Sequence, residues 1–422
     1  MRLLSLANRA DLEQELARIG ADPLCWPIFE AKSRVIAVKI DGLSTAGANI
    51  LKQTMLACGG DCAVNRAIVS GRVRHTDAAL FVTMRQLRML LDRLTSQPEC
   101  VARLVPELVE LSGRLLFPVR AIKLGRKTLN LGARTYVMGI LNVTPDSFSD
   151  GGRFLDPAAA LDHAVAMAAE GADFIDIGAE STRPGSRPVS AKEQLARLLP
   201  VLRKVKKRIK TPVSIDTTSA AVAQAALHEG ADIVNDVSAL GGDRKMATVV
   251  ARAGVPCILM HMQGKPRTMQ RNPEYSDLMA EVTAYLAAAL KRAEEAGIER
   301  TRLLVDPGIG FGKTVAHNLE ILRRLRELES LGAPVVVGPS RKRFIGEATD
   351  APPGERLEGT IAACVLAAAN GANVLRVHDV RPVVKALKLA DAVGLKGSAN
   401  VEARTSKSGL RSSTFGVRRS EG

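Results

Sequence analysis

From Arg134 onward the sequence repeats one order eight times: a short apolar run, a polar or glycine-rich loop, then a stretch with helical spacing. The runs are YVMGIL (136–141), FIDIG (174–178), PVSID (212–216), DIVND (232–236), PCILMH (256–261), LLVD (303–306), PVVVG (334–338) and NVLRVH (373–378). Their Val and Ile content, without strict alternation, predicts strands covered on both faces, as in a parallel sheet. Helix signals fall between them. Asp156 before Pro157 reads as an N-cap with a first-turn proline, and SAKE at 190–193 as a capping box. Gly171, Gly230 and Gly371 each stand where a helix should end just before a strand. Eight such α/β units in roughly 260 residues match a TIM barrel. A doubly wound open sheet is the alternative, because alternation of elements does not by itself require closure.

Active sites of that barrel gather at the C-terminal ends of its strands. Those ends carry Asn142, then Glu180 with Thr182 and Arg183, Asp216, Asn235 with Asp236, His261, Asp306, Ser340 with Lys342, and Arg376 with His378. One converging polar site is therefore expected. Along RVHDVR (376–381) alternation points Arg376 and His378 the same way, and such a pair without an acid beside it predicts an anion such as diphosphate. The plainer reading has Asp379 pairing with Arg381 at a helix start. STRPG (181–185) is a rigid loop that offers a further arginine to an anion. In DPGIGFGKT (306–314), Pro307 stands where a phosphate-cradling loop needs glycine, and Lys313 where a dinucleotide fingerprint needs its third glycine. What remains is an acid at a strand end followed by a glycine-rich loop with an aromatic, Phe311. ILNVTPDSFSDGG (140–152) repeats that arrangement with Phe148.

Outside the repeat, residues 1–130 mix helical patterns (DLEQELARI, ANILKQTMLA, QLRMLLDRL, VARLVPELVELS) with extended candidates (RVIAVKI, AALFVT). They read as a small α+β domain of unassigned role, followed by the barrel at 131–395. Residues 396–422 are rich in Ser, Gly and Arg with few apolar residues and read as a disordered basic tail. The chain of 422 residues contains no uncharged apolar run of spanning length, and its first residues reach charges too early for a signal peptide. A cytoplasmic protein without a membrane partner is expected. Six dispersed cysteines fit reduced thiols, and Cys58 with Cys62 lacks the second Cys or His pair of a zinc site. Net charge is +15, yet only 3% of residues are aromatic and no nucleic-acid-binding signature occurs, so no nucleic-acid partner is expected. The basic run RKVKKRIK (203–210) has helical apolar spacing and reads as a solvated helix face.

In order, MGILNVTPDSFSDGG, DIGAESTRPGS, SIDTT, IVNDVS, MHMQGKPRTMQ, DPGIGFGK, GPSRKRFIG and RVHDV resemble dihydropteroate synthase, the sulfonamide target of folate biosynthesis, over residues 135–394. Ala179 replaces an expected glycine and Pro339 an expected small residue, which bears on local loop geometry only. The resemblance implies condensation of 6-hydroxymethyl-7,8-dihydropterin diphosphate with p-aminobenzoate, with Mg²⁺ and as a homodimer. It further implies pterin contacts from Asp216, Asn235, Met260, Asp306 and Lys342, diphosphate contacts from Arg376, His378 and Asn142, and Asn142 as the metal ligand. The arylamine would meet Phe148, Thr182, Arg183, Pro184, Phe311 and Ser340. In the dissociative mechanism so implied, diphosphate leaves first and Asp150, with Lys342, Arg376 and His378, steadies the developing charges. A pterin-dependent methyltransferase of the same barrel family is the alternative activity.

Overall fold

The computed structural model describes residues 2–4, 6, 9–68, 70–116, 121–144, 156–181, 188–264 and 268–394, so the tail expectation at 396–422 lies outside the described residues. Near the N-terminus, α1 (Arg9–Ile19) and α2 (Trp26–Ser33) lead into β1 (Val35–Ser44), α3 (Thr45–Ala57), β2 (Asp61–Val64), β3 (His75–Thr83) and α4 (Met84–Leu94). Two further helices follow, α5 (Glu99–Ala102) and α6 (Val105–Leu116), where the sequence pattern ran as one. β3 lies between β1 and β2, antiparallel to both. Ala78, Leu80 and Val82 alternate onto Leu51 and Met55 of α3 and Leu87 and Leu90 of α4, giving this unit a core of its own. Cys58 caps α3, Cys62 lies on β2, and both are buried free thiols.

The next two strands, β4 (Ala121–Leu124) and β5 (Lys127–Asn130), pair as an antiparallel hairpin. Its Ile122 and the following Leu131 pack against Met138, Phe174, Ile233, Ile258, Leu304, Val336 and Val374. These seven residues come from seven barrel strands, so the hairpin closes the barrel from beneath. The hairpin precedes the division expected at 130, yet it shares its burial with the barrel.

Among the described residues, the barrel wall comprises β6 (Tyr136–Asn142), β7 (Phe174–Gly178), β8 (Val213–Asp216), β9 (Ile233–Asp236), β10 (Cys257–Met260), β11 (Leu303–Asp306), β12 (Val336–Val337) and β13 (Val374–Val377). Every neighbouring pair is parallel, and β6 lies between β7 and β13. A parallel bridge between Val305 and Val335, with Val305 N–H donating to Pro334 O at 2.9 Å, joins β11 to the segment entering β12. The sheet is thus closed, and the open doubly wound alternative falls away. Outside run α7 (Pro157–Glu170), α8 (Ala191–Arg208), α9 (Ala220–His228), α10 (Met246–Ala253), α11 (Leu278–Glu295), α12 (Val315–Arg324), α13 (Arg343–Thr349), α14 (Leu357–Ala369) and α15 (Val380–Ala392).

The caps follow local chemistry. Asp156 accepts from Ala158 N–H at 3.0 Å with Pro157 in the first turn. Ser190 accepts from Glu193 N–H at 3.3 Å, but the Glu193 carboxylate turns to Arg197, so the expected capping box forms only its first half. Gly171 closes α7 at φ 103°, a left-handed conformation that a side chain would strain.

Polar contacts among the described residues tie the N-terminal unit to the barrel. Arg114 of α6 donates to Ser330 O at 3.0 Å, and Lys39 of β1 pairs at 3.1 Å with Asp277, the N-cap of α11. A chain beginning at residue 117 is expected to retain the barrel. One beginning at 131 uncovers the apolar floor and should melt lower by roughly 5–10 °C, for a loss of about 2–3 kcal/mol of buried apolar surface. Calorimetric melting of the two truncations makes the comparison. Equal melting temperatures would remove the hairpin from the barrel's stability.

Candidate active site

Strand parity separates two layers inside the barrel. Phe174, Ile233, Ile258, Leu304 and Val374 form the floor. Two residues further along the same strands stand Asp176, Asn235, Met260, Asp306 and Arg376, which period-two geometry places on the same inner face. The intervening Ile175, Val234, Leu259, Val305 and Leu375 pack outward beneath the helices. Above the polar layer opens a cavity of about 1210 Å³ whose lining includes Asn142, Asp216, Phe311, Ser340, Lys342, Arg376 and His378.

Arg376 organises this layer. Its Nε donates to Asp176 Oδ2 at 2.6 Å and its Nη2 to Asp216 Oδ2 at 2.8 Å, while Asn235 Nδ2 donates to the same Asp176 oxygen at 3.1 Å. The expectation of an arginine without an acid beside it is corrected: two buried carboxylates hold Arg376. Burial pulls the guanidinium down, but Asp176 and Asp216 more than offset this and raise it above the ordinary arginine value. Burial lifts the Asp216 carboxyl to about 7, with Arg376 opposing and Asp176 adding to the lift. Asp176 was not singled out in the sequence because it reads as part of an apolar strand. Its parity with Asp216 and Asp306 relative to the floor was the available signal.

A second cluster forms where β11 ends. Asp306 accepts from Gly308 N–H at 2.7 Å, and burial raises its carboxyl against the pull of Lys342. Lys342 donates to Ile309 O and places its ammonium 4.8 Å from the centre of the Phe311 ring. Burial lowers Lys342 to about 8, with Asp306 opposing. At φ 62°, Gly312 lies so near the next loop that a Cβ would stand 2.5 Å from Gln263 O, so only glycine fits. Met260 and Phe311 share a small apolar cluster with Val237 and Met269. Lys313, which entered the sequence reading only as a misfit to a fingerprint, is buried against His261.

Ser340 Oγ lies 3.1 Å from His378 Nδ1 and accepts from His378 N–H at 3.2 Å, so these two expected site residues support one another. Arg341, at φ 56°, forks onto Asp379 through Nε at 2.8 Å, and Arg381 turns instead to Glu170. The plainer pairing of Asp379 with Arg381 is thus replaced. Glu180 accepts from Val189 N–H at 2.9 Å and Gln194 Nε2 at 3.0 Å, which makes it a loop anchor. Asn142 ends β6 beside Gly178, where a Cβ would stand 3.5 Å from its Oδ1. Phe148, Asp150, Thr182, Arg183 and Pro184 lie outside the described residues.

A closed parallel barrel with carboxylates, an amide and two cations gathered at its strand ends has its polar groups where α/β-barrel enzymes hold their active sites. Residues 138–378 match the family model described as pterin binding enzyme. The chain is 46% identical over 273 residues to dihydropteroate synthase of Synechocystis, covering 64% of this chain and 94% of that protein. Against dihydropteroate synthase of Escherichia coli K12 it is 45% identical over 257 residues, covering 61% and 91%. Among solved structures, Yersinia pestis dihydropteroate synthase in a sulfonamide complex superposes with a TM-score of 0.63 at 44% identity, over 65% of this chain and 98% of that one. The Xanthomonas albilineans enzyme with 4-aminobenzoic acid gives 0.61 at 45%, with coverage of 65% and 98%. The chain belongs to the pterin-binding enzyme family, as a transferase of the dihydropteroate synthase class in folate synthesis.

Proposed function

We propose that the cavity above the polar layer joins 6-hydroxymethyl-7,8-dihydropterin diphosphate to p-aminobenzoate, giving 7,8-dihydropteroate and diphosphate, with the residue roles that follow. The observation that carries the assignment is the convergence of Asp176, Asp216, Asn235 and Arg376 in one bonded set beside Asp306 and Lys342. A pterin edge alternates donors and acceptors. Asp306 and Asp216 accept from it, Asn235 does both, and Lys342 donates. Met260 lies against a ring face. Arg376 uses Nε and Nη2 on its carboxylates, which leaves Nη1 for the diphosphate alongside His378 and Ser340.

The carbon–oxygen bond to diphosphate breaks first, the dihydropterin carrying the methylene cation. The arylamine nitrogen then forms the new carbon–nitrogen bond and loses a proton. Phe311 and Ser340 bound the arylamine, with Phe148, Thr182, Arg183 and Pro184 assigned to the same pocket and Asp150 to charge stabilisation. Among the described residues no cluster of three His, Cys, Asp or Glu groups could hold a metal, whereas a Mg²⁺ taking one protein oxygen plus diphosphate and water oxygens suits Asn142. When bound, the ion would neutralise charge on the departing diphosphate.

A homodimer through barrel helices is supported by exposed Leu366 on α14 and by Leu389 and Val393 at α15. A cytoplasmic location is supported by six free cysteines, and among the described residues no helix is long and apolar enough to cross a membrane. The methyltransferase alternative has no use for Arg376 and His378 directed at a diphosphate. Incubating the protein with both substrates, with and without Mg²⁺, should yield dihydropteroate and diphosphate in its presence. Absence of product with Mg²⁺ would overturn the assignment.

A further inference from the structure

The loop between β11 and α12 is held by donors that reach it from several directions. Lys313, only 3% exposed, donates from Nζ to Phe311 O at 3.0 Å and lies 2.9 Å from Nδ1 of His261, just beyond β10. The Tyr275 hydroxyl donates to Gly312 O at 2.7 Å, and Gln270 Nε2 to Gly310 O at 2.6 Å. Three successive carbonyls around Phe311 are therefore fixed. His261 is itself wedged edge-on against Tyr285, with ring centres 4.8 Å apart, so the far end of the clamp is rigid.

We propose that Lys313 is a positioning residue of the transferase reaction: by pinning the Phe311 carbonyl to His261 it sets the Phe311 ring as the wall of the arylamine subsite. This rests on the reading of Phe311 as that wall. One neighbour of the ring, the Lys342 ammonium, belongs to the pterin set, so the pin also fixes the spacing between the two substrate positions. Burial lowers Lys313 to about 7, Asp306 opposing and Lys342 adding, and burial lowers His261 to about 3. A neutral amine still has two N–H donors for its two acceptors, so the clamp holds on both sides of neutrality.

The test compares Lys313→Met, which keeps length and removes the donor, with Lys313→Arg, which keeps a donor, and with Phe311→Ala. Initial rates of dihydropteroate formation give KM for each substrate, and calorimetric titration gives pterin affinity. Lys313→Met should raise the arylamine KM about tenfold while pterin affinity and the diphosphate KM stay within about twofold, and Lys313→Arg should recover most of the loss. Should Lys313→Met not accumulate as folded protein, Tyr275→Phe removes the donor to Gly312 O and should raise the arylamine KM by about threefold. If Phe311→Ala leaves the arylamine KM unchanged, the reading of Phe311 as the wall fails. If Phe311→Ala raises it while Lys313→Met, or Tyr275→Phe in its place, does not, or if both substrates weaken together, the positioning role of Lys313 is overturned.

Discussion

Replacing Asp306 by asparagine is expected to weaken pterin binding by roughly thirty-fold to several-hundred-fold, about 2–4 kcal/mol, with little loss of stability. One carboxylate oxygen of Asp306 accepts from Gly308 N–H at 2.7 Å. An asparagine keeps that oxygen and so preserves the loop cap, but its NH₂ takes the place of the second oxygen. The pterin's exocyclic amine and ring N–H are donors, and a donor would then face donors at nearly unchanged volume. Loss of the charge also removes Asp306 as the partner that opposes deprotonation of Lys342. Titration of the variant with a pterin, alongside its melting curve, separates ligand binding from loop capping. A variant that binds the pterin normally, whatever its melting curve, would remove Asp306 from the site and leave it the loop cap alone.

Substituting methionine for Arg376 is expected to destabilise the barrel by about 3–5 kcal/mol near pH 8, because Asp176 and Asp216 are left buried without their counter-ion. The pH dependence has a definite sign. Asp216 is raised to about 7 in the folded protein, so the folded state binds its proton more tightly than the unfolded chain does. Stability from that group is complete below the unfolded carboxyl value and is lost as pH rises through the folded one. Without Arg376 the folded value climbs further, and the loss in melting temperature should be larger at pH 8 than at pH 6. Calorimetry at the two pH values reads this directly. A variant that melts like the parent at both, and loses only affinity for the diphosphate, would return Arg376 to anion binding alone.

The barrel was legible in the sequence because each strand announces itself as a compact apolar run, even β12, which pairs over Val336–Val337 alone. The runs show no strict alternation because both faces are covered: helices cover one, and the floor covers the apolar half of the other. Reading the runs in that light would have separated Asp176 from its isoleucine neighbours. The hairpin at 121–130 was missed for a related reason. Its Ile122 has no meaning within four residues of sequence and acquires one only against seven strands that follow it. Lys313 was invisible because its partners, Phe311 O and His261, are a backbone atom and a side chain 52 positions away. By contrast, Asp216, Asn235 and His378 stand at the C-terminal ends of their apolar runs, and Ser340 and Lys342 in the loop just after one, which is what singled them out in the sequence.

Closure of the wall has a consequence for how the chain is made. β6 pairs with β13, and Val374 lies opposite Tyr136, so the strand that begins the barrel waits for the strand that ends it. At a synthesis rate of about 5–20 residues per second, that interval is on the order of 10–50 s. The hairpin is already complete when β6 emerges, and it offers Ile122 and Leu131 as a surface on which Met138 and Phe174 can collapse before the ring exists. The ladders that β13 makes with β6 and with β12 are then the last available to form, and until they do β6 presents an unpaired edge. A nascent chain halted before residue 373 should therefore be protease-sensitive at β6 and bind chaperones, whereas release of the remaining strand and α15 should bury that edge in one cooperative step.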